Sequence, residues 1–154
     1  MITFKFQNGD FSIDASGKLE TVTGFEILRK NINKLLSTYK ESSANTMMYN
    51  RYNPNYGHNI PFLRSVLVTS TQEELISSIQ DELNSCILYY TNNIQPEKQS
   101  IPGFTADSYL KDADVTVYPS EEDNGYAKIP IIRYEVEIVS AAPSQNKSIL
   151  SGVV

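Results

Sequence analysis

The sequence has little from which catalytic chemistry is usually built. Its 154 residues include one cysteine and one histidine. Cys86 alone cannot close an internal disulfide, which fits a reducing compartment. There is no CxxC, HExxH or EF-hand pattern, and one Cys with one His lacks the spacing of a zinc site. No metal and no cofactor is expected. The seven glycines are scattered and form neither GxGxxG nor a P-loop. No apolar run approaches the ~18–20 residues that span a bilayer. Met1-Ile2-Thr3-Phe4-Lys5-Phe6 is not the basic-then-apolar start of a secretory leader. Cations are outnumbered, with 13 Lys and Arg against 18 Asp and Glu, for a net charge of -5. Non-specific binding to nucleic acid rests on clustered cations, so neither nucleic acid nor membrane is an expected partner.

What is present reads as a single α+β domain over residues 1–142 with a C-terminal tail over 143–154. Ile2, Phe4 and Phe6 alternate with polar residues, as do Phe11 and Ile13, with turn chemistry at Asn8-Gly9-Asp10 and Asp14-Ala15-Ser16-Gly17. These predict a short β-meander. Thr23-Gly24-Phe25-Glu26 has the form of a capping box, and Phe25, Leu28, Ile32, Leu35, Leu36 and Tyr39 step by three and four along one helix face. Thr71-Gln72-Glu73-Glu74 opens a second amphipathic helix carrying Leu75, Ile79, Leu83, Cys86 and Tyr90; Asn92-Asn93 and Pro96 are expected to end it. Residues 40–64 and 94–114 show no period. Val115 and Val117 suggest a short strand, and Ile132, Tyr134, Val136 and Ile138 alternate in the cleanest strand of the chain. Pro130 either interrupts that strand or lies on an edge. Two packed helices with C-terminal antiparallel strands are therefore expected. The apolar residues of the tail, Ile149, Leu150, Val153 and Val154, have no evident use within the chain.

The chemical candidates are few. His58 is the only possible centre of a Ser-His-Asp triad, and its plainer reading is a polar loop residue. Cys86 falls on an apolar helix stripe, as a structural thiol does. A glycosidase needs only two carboxylates. Among Glu26, Glu41, Glu73, Glu74, Asp81 and Glu82, the one that borders the long loop is Glu41. That loop packs Met47, Met48, Tyr49, Arg51, Tyr52, Pro54, Tyr56 and Gly57 into a short span, and Met and Tyr are enriched at interfaces.

The order of these features resembles the small baseplate wedge protein of contractile tails, a family labelled "lysozyme-like" and shared by phage tails, contractile bacteriocins and type VI secretion systems. The matching motifs are Val22-Thr23-Gly24 before the first helix, Leu36-Ser37-Thr38 after it, and Pro54-Asn55-Tyr56-Gly57 in the loop. The match spans roughly residues 10–92. The family's Glu-Pro-Arg after the second helix, linked to contacts with the baseplate core, has Gln95-Pro96-Glu97 as its nearest counterpart. The resemblance implies a structural, non-enzymatic role in a large hetero-oligomer: binding other wedge proteins and presenting a sheet that starts the tail sheath. A virion tail baseplate assembled in the bacterial cytoplasm would then be its location. Met47, Met48, Tyr49, Arg51, Tyr52, Pro54, Tyr56, Gly57, Gln95, Pro96, Ile132, Tyr134, Val136 and Ile138 are the candidate partner-binding residues. The strand over 132–138 and the tail over 149–154 are expected to give or receive strands, and removal of residues 143–154 to leave the monomer folded. The alternative carried by the family label is a peptidoglycan hydrolase using Glu41 and Glu26.

Overall fold

A computed structural model describes residues 3–7, 10–40, 55–102 and 104–154. The fold is α+β. Near the N-terminus, β1 (Thr3–Phe4) pairs antiparallel with β4 (Thr21–Val22), and β2 (Phe6–Gln7) with β3 (Asp10–Phe11). An Ile13–Leu19 bridge closes the Asp14–Lys18 turn, where Gly17 takes a φ of 81°. This is the expected meander in fragments. Of its apolar side chains, Phe4, Phe11, Ile13 and Leu19 stand exposed and Val22 is half-buried.

Helix α1 (Phe25–Leu36) buries Leu28, Ile32, Leu35 and Leu36 of the predicted stripe and half-buries Phe25, whereas Tyr39 lies beyond its end and is exposed. The expected cap at Thr23 does not form. Gly24, at φ 58°, occupies the N-cap position without a side-chain bond, and Glu26 instead meets Arg29 at 2.6 Å. A short helix α2 (Ile60–Val66) lies inside the stretch that shows no sequence period. The capping box of α3 (Gln72–Tyr89) is present in full, with Thr71 accepting from the Glu74 amide and the Glu74 carboxylate accepting from the Thr71 amide.

Asn92, Asn93 and Pro96 do not stop this helix. A π-turn over Tyr90–Ile94 leads into α4 (Gln95–Gln99). Pro96 has no N–H to return to the preceding turn, and the widened turn before it takes up the mismatch. A 3-10 turn at Ala106–Ser108 then leads into the sheet, so residues 94–114 are largely structured.

The sheet is antiparallel with order β5-β6-β7: β5 (Leu110–Asp123), β6 (Lys128–Ser140) and β7 (Lys147–Val153). Strand β5 is 14 residues long, far beyond the short strand that Val115 and Val117 suggest. Strand β7 comes from the expected tail. It pairs with β6 from Val153↔Arg133 to Lys147↔Val139 and buries Leu150. The tail therefore has a use within the chain, and its removal would strip a strand and a core leucine from the fold. The inward face of the sheet packs on α1 and α3 to form one core, in which Leu28, Ile32, Leu35, Ile79, Leu83, Cys86, Tyr90, Val136 and Ile138 are inaccessible. No helix among the described residues is long and apolar enough to cross a membrane.

Candidate functional site

Two places carry the residues singled out from the sequence. The first lies around Tyr56, Gly57 and His58. His58 forms a parallel bridge with Tyr39: its amide donates to the Thr38 carbonyl at 2.9 Å, and its carbonyl accepts from the Lys40 amide at 2.8 Å. Gly57 is buried at a φ of 98°, and a β-carbon there would run into the Thr38 carbonyl oxygen. Glycine is thus required twice over, by conformation and by close approach. The Cys86 thiol donates to the Gly57 carbonyl at 2.9 Å, and the Glu82 carboxylate accepts from the Lys40 ammonium at 2.8 Å and from the Asn59 amide at 2.9 Å. Tyr56 packs half-buried against the core.

The electrostatics of this cluster are those of a structural lock. Burial lowers the His58 pKa below its ordinary value, and Lys40 adds to this against the opposing pull of Glu82 and of the Leu36 backbone. The imidazole is therefore neutral at pH 7, and its Nδ1 accepts from the Ile60 amide at 3.3 Å. Burial pushes the Cys86 thiol up to about 12, and the Tyr56 hydroxyl likewise up to about 12. A thiol so protonated is no nucleophile. Among the described residues, no group of three or more His, Cys, Asp and Glu is placed to hold a metal ion. Glu26 lies on the surface against Arg29, while Glu41 falls outside the described residues, as do Met47, Met48, Tyr49, Arg51, Tyr52 and Pro54.

The second place is the sheet. Ile132, Tyr134, Val136 and Ile138 are buried toward the helices, so their side chains are core and present nothing to a partner. Strand β6 is also central, flanked by β5 and β7, and has no free edge along this stretch. The edges belong to β5 and β7, a correction to the expectation that the 132–138 strand itself gives or receives strands. Gln95 is buried too. Its amide donates to the Leu110 carbonyl at 3.1 Å and its oxygen accepts from the Leu110 amide at 2.8 Å. Its hydrogen bonding is thus used within the chain, and only Pro96 of that pair is exposed.

The ladder shows which backbone groups of β5 face outward. Ile132 accepts from Val154, and Ser140 donates to Asn146, so even-numbered residues of β6 turn toward β7 and odd-numbered ones toward β5. By the register Ser120↔Ile131 and Thr116↔Glu135, the odd-numbered residues of β5 beyond its bulge point away from the sheet. Pro119 falls on one of these outward positions. Pro130 lies within β6, and its ring nitrogen faces the side on which β7 has already ended. Neither proline breaks the β5–β6 ladder, which is where strand prolines are tolerated. The Ala113 amide is taken locally by the Asp112 carboxylate at 2.9 Å. The outward edge of β5 is therefore plugged by Gln95 at Leu110 and blunted by Pro119, with a window between them centred on Ala113, Val115 and Val117. Sequence reading misses this edge because backbone parity depends on the bulge between Leu110 and Asp112, which no residue pattern announces.

No protein-family model matches this chain, and neither a search of curated proteins nor one of solved structures finds a match.

Proposed function

We propose that the chain is a structural wedge component of the baseplate of a contractile tail or related injection machine, located in the virion tail baseplate and assembled in the bacterial cytoplasm. It binds other wedge proteins and offers a sheet edge from which sheath assembly starts. One observation carries this reading beyond the motif order: the edge window of β5, bounded by Gln95 and Pro119. Among the described residues the outward backbone groups at Val115 and Val117 have no hydrogen-bond partner, and an edge strand of that kind is a template for strand addition. Beyond β7, both strands of the β5–β6 hairpin run on, and every residue over 121–130 is exposed. The polar lock around His58 ties residues 57–59 to the chain after α1 and to Glu82 and Cys86 of α3.

The test is gentle affinity recovery of a tagged copy from its source cells, with co-purifying chains identified by mass spectrometry. Recovery of baseplate or sheath proteins in stable proportion is the expected result. A chain recovered alone would overturn the reading.

A further inference from the structure

Where β7 ends, a groove lies between α2 and strand β6. Two cavities make it up, of about 410 and 360 Å³, and Arg64 lines both. Ile60, Pro61, Arg64, Leu67 and Val68 supply one wall. Their spacing is that of a single face of α2, continued into the turn that follows it. On the other wall Tyr134 borders the first cavity, and Ile132, Ile131 and Pro130 border the second. Helix and strand thus flank the groove along its length.

Among the described residues, Arg64 is the one charged side chain in either lining, since the buried His58 of the first cavity is neutral. It makes no ion pair and no hydrogen bond within the chain. Two carboxylates of the neighbouring α3 are committed elsewhere. Glu74 closes the capping box with Thr71, and Glu82 is held by Lys40 and the Asn59 amide. The surface around Arg64 is apolar: Phe62, Val66 and Val68 are 52%, 53% and 77% exposed, and Ile129 is 44% exposed. Contiguous apolar exposure of this kind marks a contact surface.

The dimensions select the form of the occupant. From Ile60 to Val68 the helical path advances about 12 Å, and from Tyr134 to Pro130 the strand advances about 13 Å. Five residues of extended chain cover the same length, with the first, third and fifth side chains on one face. Among the described residues, β6 has no neighbour on this side beyond Val154, so an extended segment would continue the sheet where β7 stops. We propose that this groove binds an extended segment of a partner protein in which one acidic residue stands between two apolar residues at alternate positions. The apolar side chains enter the two cavities, and the carboxylate meets the guanidinium fork of Arg64 between them. This goes beyond the baseplate reading and stands without it, since it rests on α2 and the ends of β6 and β7 alone.

The test uses the full chain and a fluorescein-labelled peptide, Gly-Leu-Thr-Glu-Thr-Leu-Gly, followed by anisotropy. Saturable binding is expected at about 20 mM salt, and weaker binding at about 150 mM as the ion pair is screened. Ser in place of either Leu should weaken binding by about tenfold, the loss expected for one buried leucine. Arg64→Glu should weaken it by at least about tenfold and shift the preference to the same peptide with Lys in place of Glu. Arg64 is exposed, and circular dichroism checks that the variant is folded. Absence of saturable binding at low salt, or equal affinity for Arg64→Glu, would overturn the proposal. So would a dimer of the free chain that Arg64→Glu dissociates and the peptide does not, because a second copy would then cover this face.

Discussion

Replacing Gly57 by alanine tests the lock around His58. At φ 98° an alanine pays for left-handed backbone, a cost of about 1–2 kcal/mol. Its β-carbon would also meet the Thr38 carbonyl, backbone that can yield only if the Tyr39–His58 bridge shifts. Two backbone hydrogen bonds hold that bridge, each worth about 1 kcal/mol net. The sum is about 3–4 kcal/mol. With a urea m-value of about 2 kcal/mol/M, the unfolding midpoint should fall by about 1.5–2 M. Gly17→Ala is the internal control: it shares the positive φ, at 81°, but meets nothing within 4 Å. It should cost only the conformational part, about 1–2 kcal/mol. Urea titration followed by circular dichroism measures both. If Gly57→Ala costs no more than Gly17→Ala, the close approach to Thr38 contributes nothing and the lock is wrongly described.

Gly152 has an ordinary φ but lies under Tyr134, and a β-carbon would come within 2.6 Å of that ring. Gly152→Ala should therefore destabilise by about 1–3 kcal/mol through overpacking, read as a lowered Tm. His58 is buried with its pKa lowered, so the unfolded chain binds the extra proton first as pH falls. Stability should be complete above about 6.5 and decline as pH drops from there toward the folded-state value. His58→Asn should flatten that slope in urea titrations at pH 5 to 7, and an unchanged slope would refute the assignment. Asp14 and Glu20 have lowered carboxylate pKa values, so their contributions are present above the ordinary carboxylate range and fade only in stronger acid. Cys86, buried with its thiol pushed up to about 12, should react with a thiol reagent on the timescale of unfolding and rapidly in denaturant. Immediate reaction in the native state would contradict its burial.

Elements with a strong period are legible in the sequence. The stripe of α1, the capping box at Thr71 and the buried alternation from Ile132 to Ile138 each repeat a local rule and are found in the fold. Where one tertiary contact decides, the local rule fails. Gly24 takes the cap position from Thr23 because the chain enters α1 with a positive φ and Ser108 bonds the Gly24 carbonyl at 3.2 Å. Strand β7 is hidden in the sequence because it has one buried apolar residue, Leu150, and a glycine that makes room for Tyr134. The same holds for the candidate site. Pairing with β7 makes the 132–138 strand central, which turns its apolar residues into core and, among the described residues, moves the sheet's edges to β5 and β7. Gln95, read as a partner contact from its place beside Pro96, closes a two-bond clamp on Leu110 that no spacing rule reveals.

The β5 edge is the centre of the functional account, and one substitution probes it directly. The Ala113 amide points away from the β5–β6 ladder and, among the described residues, bonds the neighbouring Asp112 carboxylate alone. Ala113→Pro should therefore leave the monomer folded while removing a donor and placing a ring at the outward edge. The measurement is recovery of partner chains by tagged Ala113→Pro against the tagged wild type, with circular dichroism confirming the fold. The account predicts that the variant loses the sheath-side partners that the wild type retains. Equal recovery of those partners by a folded Ala113→Pro chain would contradict it.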